Sequence, residues 1–298
     1  MSNQISFTEK AFAKVNLTLE ILGRRRDGFH NLASVMQTVD LFDTIEFSES
    51  NRVNVICDDD EIAPEINLAS KAASVLQQQV GITNGATITI KKNIPVSAGL
   101  GGGSSDAAAA LRGLNKLWNL GLSLDELTEI GAEIGSDVPF LVRGGTALVQ
   151  GRGEDVTPIN PAAVPKFLIL TPEVVLEHST AKTASVFSHV KESMFTRGNL
   201  THKLAARIRA AGDCPPEFFF NQFGTISEEL FPGWNKDRDL IMSFGARDVM
   251  LCGAGPSMFT IPSSKELGTA WHLLLSTVHR KRSFLVGPAI AISEGTAA

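Results

Sequence analysis

Between positions 11 and 21 the chain alternates. Ala11, Ala13, Val15, Leu17, Leu19 and Ile21 are small or apolar, and Phe12, Lys14, Asn16, Thr18 and Glu20 fall between them. This period of two predicts a half-buried strand whose second face carries Lys14 and Asn16 side by side. A basic, Gly-bounded turn over residues 23–28 breaks the pattern, and residues 44–47, 52–56 and 86–92 read as further strands. Residues 67–80 and the Ala- and Leu-rich stretch 107–118 read as helices. Ser123-Leu124-Asp125-Glu126 is a capping box for a helix that buries Leu124, Leu127, Ile130 and Ile134. A short element starts at Gly135-Ser136-Asp137-Val138-Pro139, and residues 146–150 read as a strand.

Three Pro and two Ala within residues 158–165 mark a boundary, which divides the chain into 1–160 and 161–298. Beyond it the pattern predicts a strand at 167–171, helices near 180–190 and 200–211, and strands at 248–252 and 257–261 around the turn Gly253-Ala254-Gly255-Pro256. Ser263-Ser264-Lys265-Glu266 is a second capping box for a helix to about 279, and residues 284–292 close as a strand. That order suggests an α+β half with a split β-α-β layout.

At 298 residues, 43% hydrophobic and 20% charged, the chain has an ordinary globular composition and the length of about two domains. No apolar run reaches the roughly 18 residues of a membrane span, and Met1-Ser2-Asn3-Gln4 opens no export signal, so the cytosol is the expected compartment. Cys57, Cys214 and Cys252 lack disulfide or zinc spacing and are expected to be reduced and buried. A net charge of −5 argues against a general nucleic-acid surface, although Arg24-Arg25-Arg26, Lys91-Lys92 and Arg280-Lys281-Arg282 offer local cations.

The strongest chemical signal is Pro95-Val96-Ser97-Ala98-Gly99-Leu100-Gly101-Gly102-Gly103-Ser104-Ser105-Asp106, between a predicted strand and a predicted helix. Backbone N–H groups approach an anion closely where side chains are absent, and a helix N-terminus adds uncompensated donors, so phosphate is the natural ligand. The dinucleotide pattern GxGxxG fails, because Ser104 follows Gly99 and Gly101 at the third position, and Asp106 follows Gly101 and Gly103. Gly23 and Gly28 have Walker A separation, but Phe29-His30 stands where Lys-Ser/Thr is required.

This loop resembles the nucleotide loop of the GHMP kinases, the superfamily of galactokinase, homoserine kinase, mevalonate kinase and phosphomevalonate kinase. Three consecutive Gly followed by Ser-Ser-Asp look most like its 4-diphosphocytidyl-2-C-methyl-D-erythritol kinase branch. Four more stretches agree with that branch, in order along nearly the whole chain: Ala13-Lys14-Val15-Asn16-Leu17, Arg26-Asp27-Gly28-Phe29-His30, Gly135-Ser136-Asp137-Val138-Pro139-Phe140 and Gly253-Ala254-Gly255-Pro256-Ser257. The resemblance implies a two-domain α+β GHMP kinase fold, with a ribosomal protein S5 domain 2-like N-terminal domain and a ferredoxin-like C-terminal domain. It also implies ATP and Mg²⁺ as cofactors, cytidine-diphosphate methylerythritol as the small-molecule substrate, and a cytoplasmic monomer or homodimer.

By the same resemblance Asp137 is the general base and Lys14 the catalytic cation that meets charge on the transferring phosphoryl group. Read alone, Asp137 is more simply a helix N-cap, favoured by nearby Ser136 and Pro139, and Lys14 a solvated cation, so both roles rest on the resemblance. Pro95, Val96, Ser97, Ala98, Gly99, Leu100, Gly101, Gly102, Gly103, Ser104 and Ser105, with Asn67 and Lys92, are implied on ATP. Ser104 and Ser105 would serve phosphate or Mg²⁺, or cap the helix, and the metal ligands stay unassigned. Asn16, Phe29, His30, Asp106 and Phe187 are implied on the substrate, with Phe29 stacking on cytosine while His30 bonds its edge. Phe187 reads equally as core, and Asp106 as a favourable charge for the helix dipole. The branch commonly has Tyr where Phe29 stands, and this chain has none, so stacking survives and a phenol hydrogen bond does not. The late turn is expected to approach the phosphate loop. Two rivals are a GHMP kinase with a smaller acceptor, such as homoserine or mevalonate, and a nucleotide-binding regulator without the chemistry. Gly28-Phe29-His30 speaks against the first, and the Lys14–Asp137 pair against the second.

Overall fold

The computed structural model describes residues 6–59, 62, 67–173 and 181–293. In chain order its first elements are β1 (Ser6–Arg24), β2 (His30–Ser50), β3 (Val53–Cys57), α1 (Leu68–Val80), β4 (Gly85–Lys91), α2 (Gly102–Leu117), α3 (Leu124–Ile134), α4 (Val138–Arg143), β5 (Thr146–Gly151) and β6 (Asp155–Pro158). There follow β7 (Phe167–Thr171), α5 (Ala181–Ser188), α6 (Asn199–Ala211), β8 (Phe220–Asn221), α7 (Ser227–Leu230), α8 (Trp234–Ser243), β9 (Met250–Leu251), β10 (Met258–Thr260), α9 (Lys265–Leu273) and β11 (Arg282–Val286).

The architecture is α+β. The long strands β1 and β2 pair antiparallel, and the other edge of β2 is shared by β4 near its end and β5 near its start. With β3, β6 and the parallel two-residue β8 they form a seven-stranded sheet. A second sheet, ordered β11-β7-β10-β9 with antiparallel pairs, carries α6 in the connection before β9 and α9 between β10 and β11. That is the expected split β-α-β arrangement.

Local chemistry sets the helix ends. Asn67 caps α1, its side-chain oxygen accepting from Ala69 N at 2.9 Å, and the capping box at Ser123 and Glu126 is made in both directions. In α2 the buried residues Ala107, Ala108, Ala109 and Ala110 let the helix lie close on the sheet, where Gly113 meets the ring of buried Phe47. Arg112, from the same helix, donates to the carbonyls of Leu141 in α4 and Lys10 in β1, and so ties α4 to the sheet.

The alternation along β1 is broken by register shifts between Phe12 and Lys14, Asn16 and Thr18, and Ile21 and Gly23. A bulge moves the following side chains to the opposite face. Leu19 and Ile21 therefore pack with Met36 on the side of Lys14 and Asn16, while Ala13, Val15 and Leu17 pack with Leu204, Ala205 and Ile208 of α6 on the other. Thr18 and Glu20 are moved away from Lys14 and Asn16: Thr201 of α6 donates its hydroxyl to Thr18 Oγ1 and its amide to Glu20. Both faces are covered, so the strand is buried rather than half-buried. Burial on both faces also explains why β2 begins at His30 and not near 44, because residues 32–39 are all buried and carry no period-two signal.

Smaller differences have local causes. Helix α2 starts at Gly102, five residues before the Ala-rich stretch, and the capping box expected of Ser263 with Glu266 is not made: Ser264 is the N-cap, accepting from Leu267 N, which leaves Leu267 at the position where a Glu would have to reach back. Strand β11 stops at Val286 before Gly287-Pro288, and its tail makes only single bridges, Val39 to Pro288 and Gly144 to Ala291. Helix α9 ends at Leu273 and continues as a π-helical turn. The strands expected at 248–252 and 257–261 are two and three residues long, and α7 and α8 lie in a stretch for which no element is predicted. Thr180, expected in α5, lies outside the described residues. All three cysteines are free, but only Cys252 is buried, with its thiol pushed up to about 12 by that burial, and Cys57 and Cys214 are partly exposed. Among the described residues no helix is long and apolar enough to cross a membrane.

A Cβ on Gly113 would come within 2.3 Å of the Phe47 ring. Gly113→Ala is expected to destabilise the fold by about 1–3 kcal/mol, read as a lowered denaturant midpoint.

Candidate active site

A cleft of about 1100 Å³ opens between β1, the glycine loop and the turn at 253–255. Gly99 and Gly101 have φ of +83° and +75°, and both are crowded. A Cβ on Gly99 would meet the Cys252 carbonyl at 2.1 Å, and one on Gly101 would meet Lys14 Cγ at 3.0 Å. The loop is held from both sides: Lys14 N donates to Leu100 O (2.9 Å) and Ser257 N to Ala98 O (3.1 Å). The late turn thus touches the glycine loop, as expected. Gly101 is the N-cap of α2 and no side chain caps it, so the first amides of the helix are available to an anion.

Pro95, Val96, Ser97, Ala98, Gly99, Gly101, Gly102, Gly103 and Ser104 line the cleft, as do Asn67 and Lys92. Leu100 and Ser105 do not. Leu100 is buried in the core, and Ser105 donates its hydroxyl to Phe12 O at 2.7 Å, bracing the helix against β1. Neither serine caps α2.

At the centre of the cleft Lys14 Nζ stands 3.4 Å from Asp137 Oδ2 and 2.8 Å from Asn16 Oδ1. Asn16 passes the constraint on, donating to Ser34 Oγ, which donates to Thr18 O. Lys14 is 4% exposed, whereas the Asp137 side chain keeps 29% of its surface open. Asp137 occupies the N-cap position of α4 but makes no capping hydrogen bond with its carboxylate. Its side chain is therefore turned to Lys14 and the cleft, where it can accept a proton from a bound hydroxyl.

Beside the loop, Lys92 Nζ is held by Asp106 Oδ2 at 2.7 Å and by Asp43 Oδ2. Asp43 is fully buried, and its other oxygen accepts the amides of Asn93 and Ile94. Burial, opposed by the Lys92 charge and reinforced by the Asp43 charge, leaves the Asp106 carboxyl pushed up to about 8. Asp106 Oδ1 is buried and has no hydrogen-bond partner. Because α2 starts at Gly102, Asp106 lies beyond the first turn, which removes the helix-dipole reading. No set of three or more His, Cys, Asp or Glu side chains able to hold a metal lies among the described residues.

The opposite end of the cleft is aromatic. His30 lies 5.4 Å from Phe187 and 6.4 Å from Phe195, and Phe187 meets Phe223 at 4.9 Å. Phe29 is 48% exposed, with the Arg152 guanidinium 5.4 Å from its ring centroid. Burial, then the nearby Arg24 charge, pull the His30 imidazole below its usual value, so it is neutral at pH 7 and offers one donor and one acceptor. Of the basic turn, Arg24 lines the cleft, and Arg25 bonds Asp27 and Asn31.

Asp43, Arg152, Phe195 and Phe223 also shape this cleft and were missed. Asp43, Phe195 and Phe223 stand in no motif or spacing that singles them out. Arg152, between two Gly at a strand end, offered a weak signal.

Residues 67–145 match the family model described as GHMP kinases N terminal domain. The chain is 42% identical over 254 residues to the 4-diphosphocytidyl-2-C-methyl-D-erythritol kinase of Dehalococcoides mccartyi strain BAV1, covering 85% of this chain and 88% of that one. It is 40% identical over 263 residues to the protein of the same name from Bacillus thuringiensis strain Al Hakam, covering 86% and 87%. Among solved structures, a 4-(cytidine 5'-diphospho)-2C-methyl-D-erythritol kinase superposes with a TM-score of 0.78 at 27% identity, covering 95% of this chain and 99% of that one. A homoserine kinase from Cytophaga hutchinsonii has a TM-score of 0.72 at 18% identity, covering 98% and 96%, a likeness of fold.

The raised Asp106 carboxyl has a signed consequence. Between about pH 4 and pH 8 the unfolded chain releases this proton while the folded chain keeps it, so the group lowers stability as pH rises. Asp106→Asn cannot titrate. Its stability relative to wild type is expected to increase from pH 4 to pH 8 and then level off, measured by denaturant midpoints across that range.

Proposed function

The chain belongs to the GHMP kinases, in their 4-diphosphocytidyl-2-C-methyl-D-erythritol kinase branch, and on that premise we propose that it phosphorylates the 2-hydroxyl of 4-(cytidine 5'-diphospho)-2-C-methyl-D-erythritol. ATP is the phosphoryl donor, and the reaction belongs to the non-mevalonate route to isoprenoid precursors. The observation that carries the reading is the Lys14–Asp137 contact of 3.4 Å, in one cleft with an uncapped, Gly-rich helix start and an aromatic, imidazole-bearing end.

Phosphoryl transfer needs mainly positioning and charge stabilisation. The loop amides and the α2 N-terminus hold the ATP phosphates, with Asn67 and Lys92 beside the nucleotide. Asp137 accepts the proton of the attacking hydroxyl, and Lys14 meets charge on the transferring group. Asn16 holds Lys14 in place and contacts the acceptor. At the far end Phe29 and Phe187 offer stacking faces and His30 bonds the cytosine edge. This end suits a cytidine acceptor and has no use for homoserine or mevalonate.

Mg²⁺ belongs to the same proposal. The donor set fits a hard cation, because Asp106 Oδ1 is an unpaired buried oxygen and Ser104 adds a hydroxyl in the cleft. A single carboxylate is the usual share for an ion bound chiefly through phosphates. When bound, the ion neutralises charge on the ATP phosphates. We also propose two domains, 1–160 and 161–298, that share the cleft, and a cytoplasmic enzyme acting as a monomer or homodimer.

ADP release from ATP and Mg²⁺ tests the reading, with the cytidine compound, homoserine and mevalonate offered separately. Turnover of the cytidine compound alone is expected. Asp137→Ala should lower kcat by about 10²–10⁴-fold without loss of fold, and Phe29→Ala should raise KM for the acceptor by about two- to tenfold. Turnover of a small alcohol instead would keep the kinase fold and overturn the roles of Phe29 and His30.

A further inference from the structure

The proposed acceptor spans the cleft, with its reacting hydroxyl at Asp137 and its cytosine at Phe29, His30 and Phe187. Its diphosphate, the most strongly charged part, must then lie between these ends, and an anion there needs a cation. Arg152 occupies that stretch. Its Nη2 donates to Ala132 O at 3.1 Å, at the end of α3, and its guanidinium reaches over the Phe29 ring. The next residue, Gly153, packs against the Ser136 carbonyl beside Asp137, so closely that a Cβ there would come within 2.4 Å. Arg152 therefore bridges the catalytic end and the base-binding end, anchored at each.

The surrounding charges leave it free to act. Among the described residues no carboxylate lies within ion-pair distance of the Arg152 side chain. Glu154 accepts the backbone amide of Arg152, and Asp27 is engaged by Arg25 and by Phe29 N. Arg24 also lines the cleft, but pairs across the strands with His30, at the base end. An Arg stacked on an aromatic face keeps a planar fork of donors in a fixed direction, which suits phosphate oxygens.

We infer that Arg152 is a specificity-determining residue that binds the diphosphate of the acceptor while its guanidinium stacks on Phe29. The inference rests on the acceptor named above. It gives Phe29 a second task, holding the guanidinium in place, which a ring without a hydroxyl performs as well as tyrosine does.

Cytidine and cytidine diphosphate, tested as competitors of the acceptor, separate the base from the diphosphate. For wild type, cytidine diphosphate should bind more tightly than cytidine. In Arg152→Gln that advantage should shrink by about ten- to one-hundredfold, with cytidine binding and KM for ATP little changed, and Arg152→Lys should restore part of it. Equal loss of cytidine and cytidine diphosphate in Arg152→Gln would overturn the inference, leaving Arg152 as a support for Phe29. So would an advantage that disappears in Arg24→Gln and survives in Arg152→Gln. A wild-type protein that binds neither competitor overturns the acceptor reading itself, which distinguishes that failure from this one.

Discussion

The cleft is organised around the middle of β1, where the backbone and side chain of Lys14 do different work. Its amide donates to Leu100 and fixes the glycine loop, and its ammonium sits between Asn16 and Asp137. Gly101 has to be glycine partly because the Lys14 side chain runs against it. A single residue thus sets the distance between the glycine-loop backbone and the Asp137 carboxylate. The bulge after Asn16 follows from the same need. It keeps Lys14 and Asn16 in the cleft, brings Leu19 in beside them, and sends Thr18 and Glu20 to the opposite face, where Thr201 bonds them.

This arrangement costs stability. Lys14, Lys92, Asp43 and Asp106 are all buried or nearly so, and removing charges from water is repaid only when every group is well paired. Asp43 is, through two amides and Lys92. Asp106 is not: one oxygen lacks a partner and its carboxyl is raised to about 8. Poorly satisfied polar groups persist where a ligand completes them. Under the proposed function, ATP with its cation is that ligand, and the destabilised group lies beside the phosphate loop.

Local sequence made much of this legible. The capping box at Ser123 and the glycine loop before a helix depend on neighbours three or four residues apart, and the structure has them where expected; Asn67, expected within its helix, is the residue that caps it. The order of strands and helices also predicted the split β-α-β sheet. Features set by distant partners were not readable. Register shifts in β1 depend on its pairing with β2, the length of β2 is hidden by burial on both faces, and Asp43 is an unremarkable Asp until Lys92 folds over it. Both roles of Asp137 were open in the sequence, and the absence of a capping hydrogen bond, together with Lys14 at 3.4 Å, favours the catalytic one. Ser105 went the other way, since its hydroxyl braces α2 against β1.

The central claim is that one cleft holds ATP at the glycine loop and a cytidine acceptor at the aromatic end, with Lys14 and Asp137 between them. A crystal structure with the acceptor and a non-hydrolysable ATP analogue tests it most directly. The account predicts the γ-phosphorus about 3–3.5 Å from the acceptor 2-hydroxyl, that hydroxyl hydrogen-bonded to Asp137, and the cytosine against Phe29 and His30. An acceptor bound with its hydroxyl away from Asp137, or a nucleotide bound away from the loop, would contradict it.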